Sequence, residues 1–296
     1  MPGRSERPGG LGGHSGPPMP DDAALEAAAR VRVTVIVGAG DTGKTTLAAR
    51  LASALAARGA RVAVVDADVG QSEIGPPTTV GLGAVTRPLA RLSDADVVAL
   101  EFIGDTSPVR RIGPTADATG RLVRRAITDG FAHVIVDTGG LVEGALGLAL
   151  KRAKLRAVDP DVVIVVQRRD ESEPLARAVG GAERPAVVRV PASPAATRRT
   201  QTQRRLYRDR ALETYFDSAA SISVPMARVQ AHGPRGAPPV AIVEGLLVGV
   251  VGPEGNTVGV GRVRGVEGDR VIVDTPVAPA QIAQVVTGRV VWPTRR

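Results

Sequence analysis

The segment Gly38-Ala-Gly-Asp-Thr-Gly-Lys-Thr45 has the glycine and lysine spacing of a phosphate-binding loop. It follows a β-branched run and precedes a helical pattern, which is the context that such a loop requires. Backbone N–H groups and the helix N-terminus would hold phosphates, Lys44 would reach the β- and γ-phosphates, and the Thr45 hydroxyl would complete Mg²⁺ coordination. The alternative, a glycine-rich turn without a ligand, accounts for neither the spacing nor the context. The predicted nucleotide-binding residues are Gly38, Ala39, Gly40, Asp41, Thr42, Gly43, Lys44, Thr45 and Thr46.

Carboxylates end two other apolar runs of the chain. The segment Asp66-Ala-Asp-Val-Gly-Gln71 closes one run, and Asp137 closes the run Val134–Val136. The carboxyl ends of parallel strands form the edge of a sheet where ligands bind. We therefore expect one of Asp66 and Asp68 to serve Mg²⁺ and the other to accept a proton from an attacking hydroxyl, while Asp137 holds Mg²⁺ through water. Helix caps or turns are the alternative explanation for Asp66 and Asp68.

Arginines are concentrated in one short segment, Arg198–Arg210, which has six arginines and one aspartate in 13 residues. Arg204 and Arg208 are four residues apart and share a helical face, with Arg205 beside them. Their guanidinium groups are predicted to converge on a phosphate chain. A solvated helix face is the alternative explanation.

Strand-like and helix-like runs alternate around these candidate residues. Near-continuous apolar strands separated by helices indicate a parallel sheet covered on both faces. We expect a doubly wound α/β domain of the P-loop NTPase type over residues 30–217. Its predicted strands are Val31–Val37, Arg61–Asp66, Val97–Ile103, His133–Asp137 and Asp161–Val166, and its predicted helices are Gly43–Arg58, Pro114–Gly130 and Leu146–Ala157.

The two ends of the chain have different patterns. Residues 1–22 are rich in glycine and proline, which predicts a disordered tail. After Tyr215-Phe216, short runs are separated by glycine and proline, which predicts a small all-β domain over residues 221–296. The predicted strands there are Val240–Val251, Thr257–Arg264, Arg270–Val273 and Gln284–Val291.

Composition limits the classes of function. The chain has 296 residues, enough for about two domains. It has no cysteine, which excludes disulfides, thiolate metal sites and a cysteine nucleophile. No apolar run reaches the roughly 18 residues of a membrane span, and no secretory signal is visible, so we expect cytoplasmic residence and no membrane partner. The net charge is +8, but 35 of the 38 basic residues are arginine, so the total charge is weak evidence for a polyanionic partner.

Together, these motifs resemble the polynucleotide 5′-hydroxyl kinases. This family includes the kinase subunit of the eukaryotic messenger-RNA cleavage factor and the ribosomal-RNA-processing kinases. The resemblance covers residues 31–217. It rests on the phosphate loop, the aspartates and the arginine segment, and also on Phe102-Ile-Gly-Asp-Thr-Ser-Pro108 and Val-Asp-Thr-Gly-Gly-Leu141. It implies ATP and Mg²⁺ as cofactors and 5′-hydroxyl RNA or DNA as substrate; protein partners stay unassigned.

The resemblance also implies roles for individual residues. Asp68 would activate the 5′-hydroxyl, and the arginine segment would form a lid over ATP. Thr138-Gly139-Gly140-Leu141 is similar to a substrate-clasping element that ends in tryptophan in the family, and Leu141 departs from it. The expected site is catalytic Lys44, Asp68, Arg199, Arg204 and Arg208; substrate-binding Gln71, Thr138, Gly139 and Gly140; and metal-binding Thr45, Asp66 and Asp137.

Two function classes fit the motifs. The first is an ATP-dependent kinase that phosphorylates the 5′-hydroxyl of RNA or DNA. The second is a nucleotide-switch ATPase or GTPase of the partitioning or metallochaperone type, which phosphorylates no acceptor. Partitioning-type loops have a lysine just after the first glycine, where this chain has Ala39, and the GTP-specific Asn-Lys-x-Asp motif is missing because Asn256 is the only asparagine. Both features favour the kinase. The intact Lys44, Thr45 and Asp68 argue against a third reading, a scaffold that has lost catalysis.

Overall fold

The architecture is a thirteen-stranded sheet with helices on its faces, seen in a computed structural model that describes residues 20–180, 184–231 and 240–292. The helices are α1 (Pro20–Ala29), α2 (Lys44–Ala57), α3 (Ile112–Thr128), α4 (Gly144–Val158), α5 (Glu173–Val179) and α6 (Gln201–Phe216). The strands are β1 (Val33–Gly38), β2 (Val62–Ala67), β3 (Thr79–Val85), β4 (Asp96–Phe102), β5 (His133–Thr138), β6 (Val162–Gln167), β7 (Ala186–Pro191), β8 (Ala220–Pro225), β9 (Val229–Ala231), β10 (Leu246–Val251), β11 (Thr257–Glu267), β12 (Arg270–Thr275) and β13 (Gln284–Val291). Short 3₁₀ turns occupy Leu92–Asp94, Pro108–Arg111, Met226–Arg228 and Pro279–Gln281.

Five parallel strands form the half of the sheet that carries the motifs, in the order β7-β6-β1-β5-β2. Strands β1 and β2 are buried along their whole length, which explains their unbroken runs of valine, isoleucine and other apolar residues. Helices α1 and α2 cover one face of this half, and α3, α4 and α5 cover the other. The α/β class with a parallel sheet is confirmed.

Two antiparallel strands, β3 and β4, extend the sheet beyond β2. Strand β3 was not predicted, because its glycines interrupt the β-branched pattern of Thr79–Val85. The packing requires one of them: a Cβ atom at Gly81 would lie 2.0 Å from the carbonyl oxygen of Ile74. The sheet is therefore mixed, and its parallel part ends at β2.

The domain begins earlier than the sequence indicated. Residues 20–22 belong to α1, so the expected tail over residues 1–22 is too long by at least three residues. Helix α1 buries Ala24 and Ala28 in the same core as α2, so it is part of the α/β domain. Its small side chains give only a weak apolar stripe, which explains why it was missed. Residues 1–19 lie outside the described residues.

Six strands make up the C-terminal part of the sheet. Strands β8, β10, β11, β12 and β13 form antiparallel pairs, and β9 pairs in parallel with β13. This part joins β4 at one position, where Thr257 of β11 pairs with Leu100. The strands expected in this region are present, with β10 starting at Leu246 rather than at residue 240. The division into two domains stays a prediction.

Within the described ranges, no helix has the length and apolarity needed to cross a bilayer. The expected cytoplasmic residence stays a prediction.

Candidate active site

The motifs meet at the carboxyl edge of the parallel strands. The loop after β1 carries the glycines and lysine, the loop after β2 carries Asp68, and the loop after β5 carries Gly139 and Gly140. Strands β1, β2 and β5 are neighbours in register, so these three loops lie side by side. The three loops are up to about a hundred residues apart in sequence, and the parallel topology brings them together in space.

The loop between β1 and α2 has the geometry of a phosphate cradle. Gly43 has a left-handed backbone with φ +93°, and it begins α2 without a side-chain cap. Gly43 thus offers no side chain to the first N–H groups of α2, which lie at the helix end that favours anions. The Lys44 ammonium lies over the loop and donates to the Ala39 carbonyl at 2.6 Å.

Lys44 is buried, with only 6% of its surface exposed. Burial lowers its pKa, and the carboxylates of Asp137, Asp68 and Asp41 oppose that effect. These carboxylates favour the charged form of Lys44, which is the form that can pair with a phosphate.

Asp137 and Thr45 form the second polar pair of the site. The Thr45 hydroxyl donates to Asp137 Oδ2 at 2.6 Å. Asp137 Oδ1 is buried and has no hydrogen-bond partner among the described residues. Burial raises the pKa of Asp137 to about 6, against the opposing effects of Lys44 and Thr45. A buried carboxylate oxygen without a donor, next to a hydroxyl oxygen, is a donor set that suits a hard cation.

Asp66 and Asp68 have different surroundings, although they are two residues apart. Asp66 is buried, and its carboxylate accepts hydrogen bonds from the backbone N–H groups of Asp68, Glu73 and Ile74 and from the Ser72 hydroxyl. Burial raises its pKa to about 8. These four donors hold the loop after β2. Three of these bonds go to Oδ2 and one goes to Oδ1, so the carboxylate is engaged by its own loop, and the metal role expected for Asp66 stays a prediction.

Asp68 keeps one carboxylate oxygen for the cleft. Its Oδ1 accepts from the N–H groups of Gly70 and Gln71, both at 3.1 Å. Its Oδ2 lies 3.1 Å from the position that a Cβ atom at Gly139 would take. A side chain at residue 139 would therefore press on the Asp68 carboxylate, and Asp68 is partly exposed beside Gly139.

The arginine segment folds over the phosphate loop as a lid. Helix α6 begins after Thr200, which forms a capping box with Gln203. The Arg204 guanidinium donates to Asp41 Oδ2 at 2.6 Å, and the same oxygen accepts from the Arg199 backbone N–H at 2.9 Å. A Cβ atom at Gly40 would lie 2.9 Å from Arg204 Nη2, so the guanidinium rests on the loop backbone.

Two clefts adjoin at this lid. The α2 cleft, of about 500 Å³, lies over Gly43–Thr46 and is closed by Tyr207. The α4 cleft, of about 810 Å³, lies over Gly139–Glu143 and is lined by Arg208. Asp68 and Arg204 line both clefts. The site can therefore hold two molecules that meet at Asp68 and Arg204.

A family model described as "mRNA cleavage and polyadenylation factor CLP1 P-loop" matches residues 38–218. The chain belongs to this family. The matched range contains the phosphate loop, Asp68, Asp137 and the lid helix, and it ends just after α6.

Curated relatives of this CLP1-family chain carry the name polyribonucleotide 5′-hydroxyl-kinase. The protein of Pyrococcus furiosus is 34% identical over 200 residues, which are 67% of this chain and 54% of that protein. The protein of Methanocaldococcus jannaschii is 38% identical over 137 residues, 46% of this chain and 37% of that protein. Clp1 of Xenopus tropicalis is 30% identical over 201 residues, 62% of this chain and 43% of that protein. The chain thus spans about half the length of its first relatives.

A solved structure, the Clp1p–Pcf11p complex, has the same fold as the CLP1-family chain. It matches with a TM-score of 0.72 at 15% identity and covers 92% of this chain and 78% of that one. The structural match covers 92% of the chain, which is more than residues 38–218 contribute. The similarity therefore extends past the phosphate-loop domain into the C-terminal strands.

Most of the expected residues lie together in the CLP1-family chain, but Asp66 lines neither cleft, and the hydroxyl of Thr138 is bonded away from the α2 cleft that this residue lines. Thr138 donates its hydroxyl to the Ile36 carbonyl at 2.7 Å and accepts from Lys151, so its side chain supports the strands. Asp66 supports its own loop. By contrast, Gln71 lines both clefts, and its buried Oε1 has no hydrogen-bond partner among the described residues.

Three residues of the site were missed by the sequence argument. Lys151 and Lys154 of α4 are almost fully buried behind the strand ends. Arg168, after β6, donates to the carbonyl oxygens of Asp41 and Ala196 and so joins the phosphate loop to the segment before the lid. One signal for the first two was available: the chain has only three lysines among 38 basic residues, and the other is Lys44.

Proposed function

We propose that this chain transfers the γ-phosphoryl group of ATP to the 5′-hydroxyl of RNA or DNA. One observation carries the proposal: a phosphate loop, a cleft-facing carboxylate and an arginine helix meet where two clefts adjoin. The names of the relatives support the same activity. A nucleotide switch needs one ligand cleft, whereas a kinase needs a donor cleft and an acceptor cleft with shared residues between them.

ATP fits the α2 cleft. The N–H groups at the start of α2 and the Lys44 ammonium would bind its β- and γ-phosphates. The Tyr207 ring and the Arg199 guanidinium, 5.4 Å apart, line the same cleft. Burial, with the nearby carboxylates of Glu73 and Asp66, raises the pKa of Tyr207 to about 12, so the phenol stays neutral beside a polyanion.

Thr45 and Asp137 are the residues that would hold Mg²⁺. The orphaned Oδ1 of Asp137 and the adjacent hydroxyl give the oxygen donors that this ion prefers, and the triphosphate and water complete its shell. Bound Mg²⁺ would neutralise charge on the β- and γ-phosphates.

The acceptor fits the α4 cleft with its 5′-hydroxyl at Asp68. Because Oδ1 of Asp68 is held by two backbone donors, Oδ2 is the oxygen that orients the hydroxyl and accepts its proton. Gly139 and Gly140 line this cleft, so their backbone would contact the acceptor. Arginines at the rim, such as Arg168, Arg198 and Arg208, give the cleft the positive charge that a polynucleotide needs.

The lid supplies charge stabilisation. Arg204 already rests on Gly40, and Arg199 and Arg208 lie on either side of it along the cleft wall. An arginine that donates to the transferring phosphoryl group stabilises the transition state without taking part in proton transfer.

The test is an incubation of the protein with γ-labelled ATP, Mg²⁺ and matched RNA and DNA oligonucleotides. The expected result is label on oligonucleotides with a 5′-hydroxyl and none on those with a 5′-phosphate. The ratio of the RNA and DNA rates then gives the sugar preference. Release of labelled phosphate with no label on any oligonucleotide would contradict the kinase proposal and favour the nucleotide-switch hypothesis.

A further inference from the structure

Lysine and arginine occupy different places in this molecule. The chain has 35 arginines and three lysines, and the three lysines are 0%, 2% and 6% exposed. Two of them, Lys151 and Lys154, lie one helical turn apart on the buried face of α4. A compact ammonium fits where a planar guanidinium does not. The lysines therefore mark positions that demand a buried point charge.

The Nζ atoms of both lysines bind the ends of the strands that carry the site, and burial lowers the pKa of Lys151 well below its usual value. Lys154 Nζ donates to the Ala67 carbonyl at 2.5 Å, at the end of β2. Lys151 Nζ donates to Thr138 Oγ1 at 2.7 Å and to the Gly139 carbonyl, at the end of β5. Ala67 and Thr138 are paired in register, so the two lysines bind the ends of adjacent strands at neighbouring positions of the sheet.

The loops that leave these two strand ends must keep a fixed separation. Asp68 follows Ala67 directly, and its carboxylate packs against Gly139. Gly140 packs in turn on the phosphate loop, where its Cβ atom would lie 2.4 Å from Gly40 Cα. A shift of either strand end would thus move Asp68 relative to the phosphate loop.

We propose that Lys151 and Lys154 are positioning residues that fix Asp68 and the Gly139-Gly140 loop for phosphoryl transfer. Their kinetic effect rests on the proposed kinase function. Lys154 also lines the α4 cleft beside Asp68, so its charge faces the acceptor side. Burial lowers the pKa of Lys154 to about 8, and the nearby carboxylates of Asp68, Asp66 and Asp137 favour the charged form.

Stability alone does not account for this arrangement. Desolvating an ammonium is unfavourable, and the direct hydrogen-bond partners of both lysines are neutral oxygens, while the carboxylates of Asp68 and Asp137 act on them without a direct hydrogen bond. An apolar side chain of the same length would fill the space without that cost. Displacement of a reacting group by about 1 Å lowers a rate by about 10²-fold, which is the effect expected on kcat when either lysine is lost.

The absence of cysteine makes a selective chemical test possible. The Lys154→Cys variant has one thiol, which 2-bromoethylamine converts to an aminoethyl side chain, a lysine analogue. Iodoacetamide converts the same thiol to a neutral side chain. We expect the iodoacetamide product to lose about 10²-fold in kcat with unchanged ATP affinity, and the aminoethyl product to recover most of it. Arg152→Met, on the exposed face of the same helix, is the control and should retain wild-type kcat.

Hydrogen exchange tests the same inference without using activity. Lys154→Met should speed exchange at least about tenfold in residues 66–71, and Lys151→Met in residues 138–141, while residues 43–46 stay unchanged. Equal kcat for the neutral and aminoethyl products, or exchange that rises uniformly along the chain, would overturn the inference. If the wild-type protein labels no oligonucleotide, the kinase proposal fails, and the local exchange pattern alone decides whether these lysines position the loops.

Discussion

The lid and the strand edge both bring cations to the site, by opposite physical means. The lid uses exposed guanidinium groups: Arg204, with 36% of its side chain exposed, is held by Asp41. The strand edge uses buried ammonium groups that bind backbone oxygens. A partly exposed ion pair contributes about 0–1 kcal/mol, whereas a buried ammonium that loses its partners costs several kcal/mol. Loss of the Arg204–Asp41 ion pair is therefore expected to cost less than loss of the lysine contacts at the strand edge.

The two ends of α6 show the same contrast. Its first turns carry the exposed arginines over the phosphate loop. Its last turn is buried against the C-terminal strands, where Leu212 and Phe216 lie in an apolar cluster and Tyr215 accepts a hydrogen bond from the Val260 N–H at 2.8 Å. Trp292 stacks on Phe216 with ring centroids 5.8 Å apart. The C-terminal strands thus fix the base of the lid and leave its arginine-bearing end free to respond to a ligand.

The largest effect is expected at Lys44, the buried ammonium closest to the phosphates. Lys44→Ala should lower phosphoryl transfer by about 10³-fold or more, because it removes a desolvated charge from the site. Lys44→Arg should not restore the rate, because the space fits an ammonium only. Single-turnover rates at saturating ATP, with circular dichroism to confirm the fold, provide the measurement. Near wild-type transfer by Lys44→Ala would refute the phosphate-loop assignment.

The next effect is expected at the lid. Arg204→Ala should lower single-turnover transfer by about 10³-fold, and Arg199→Ala and Arg208→Ala should lower it strongly. Arg208→Lys keeps the charge but loses the planar fork, so it should lose much of the rate. Arg210, exposed on the same helix and outside both clefts, provides the control: Arg210→Ala should stay close to wild type. Equally small effects at all four positions would mean that the cluster is only a charged surface.

Asp68→Asn should lower kcat by about 10²-fold while ATP affinity changes little, because Asp68 acts on the acceptor. The measurement is kcat against oligonucleotide concentration, with ATP binding determined separately. If Asp68→Asn loses ATP binding and keeps its kcat, Asp68 acts on the nucleotide and not on the acceptor, and the assignment of the two clefts to donor and acceptor is wrong.

The smallest effect concerns stability and belongs to Asp66. Its pKa is about 8 in the folded protein against 3.8 for the free group. Folding takes up a proton between these values, so the free energy of unfolding falls as pH rises through this range. The melting temperature should therefore fall between about pH 5 and about pH 8, and less steeply in Asp66→Asn.

The control for this pH series is Asp217→Asn, at an exposed aspartate that follows the lid helix, which should keep the wild-type slope. The part of the slope that Asp66→Asn retains is attributed to Asp137 and Glu73, whose pKa values are also raised. Identical slopes in wild type and Asp66→Asn would show that Asp66 is ionised throughout and that its hydrogen bonds outweigh its burial.

The sequence predicted the elements with strong local patterns and missed those without them. Strand β13 was predicted over its observed range, and β1, β2, β5 and β6 within two residues at each end, because their valine-rich runs are unambiguous. Strand β3, with its glycines, and α1, with its alanines, lack a clear periodic pattern of large apolar residues. Helix α5 and strand β7 were also missed, and both are short segments next to proline.

The sequence by itself determined the chemical types at the site: a phosphate loop, carboxylates at strand ends and an arginine helix. These follow from local spacing, because a phosphate loop is built from consecutive residues. Only the tertiary structure decided which carboxylate is free. Asp66 and Asp68 look equivalent along the chain, but four loop donors bind Asp66, whereas Asp68 keeps Oδ2 for the cleft. It also decided that Lys154 faces Ala67 and that Lys151 faces Gly139, since contacts between α4 and the strand ends depend on packing across the sheet.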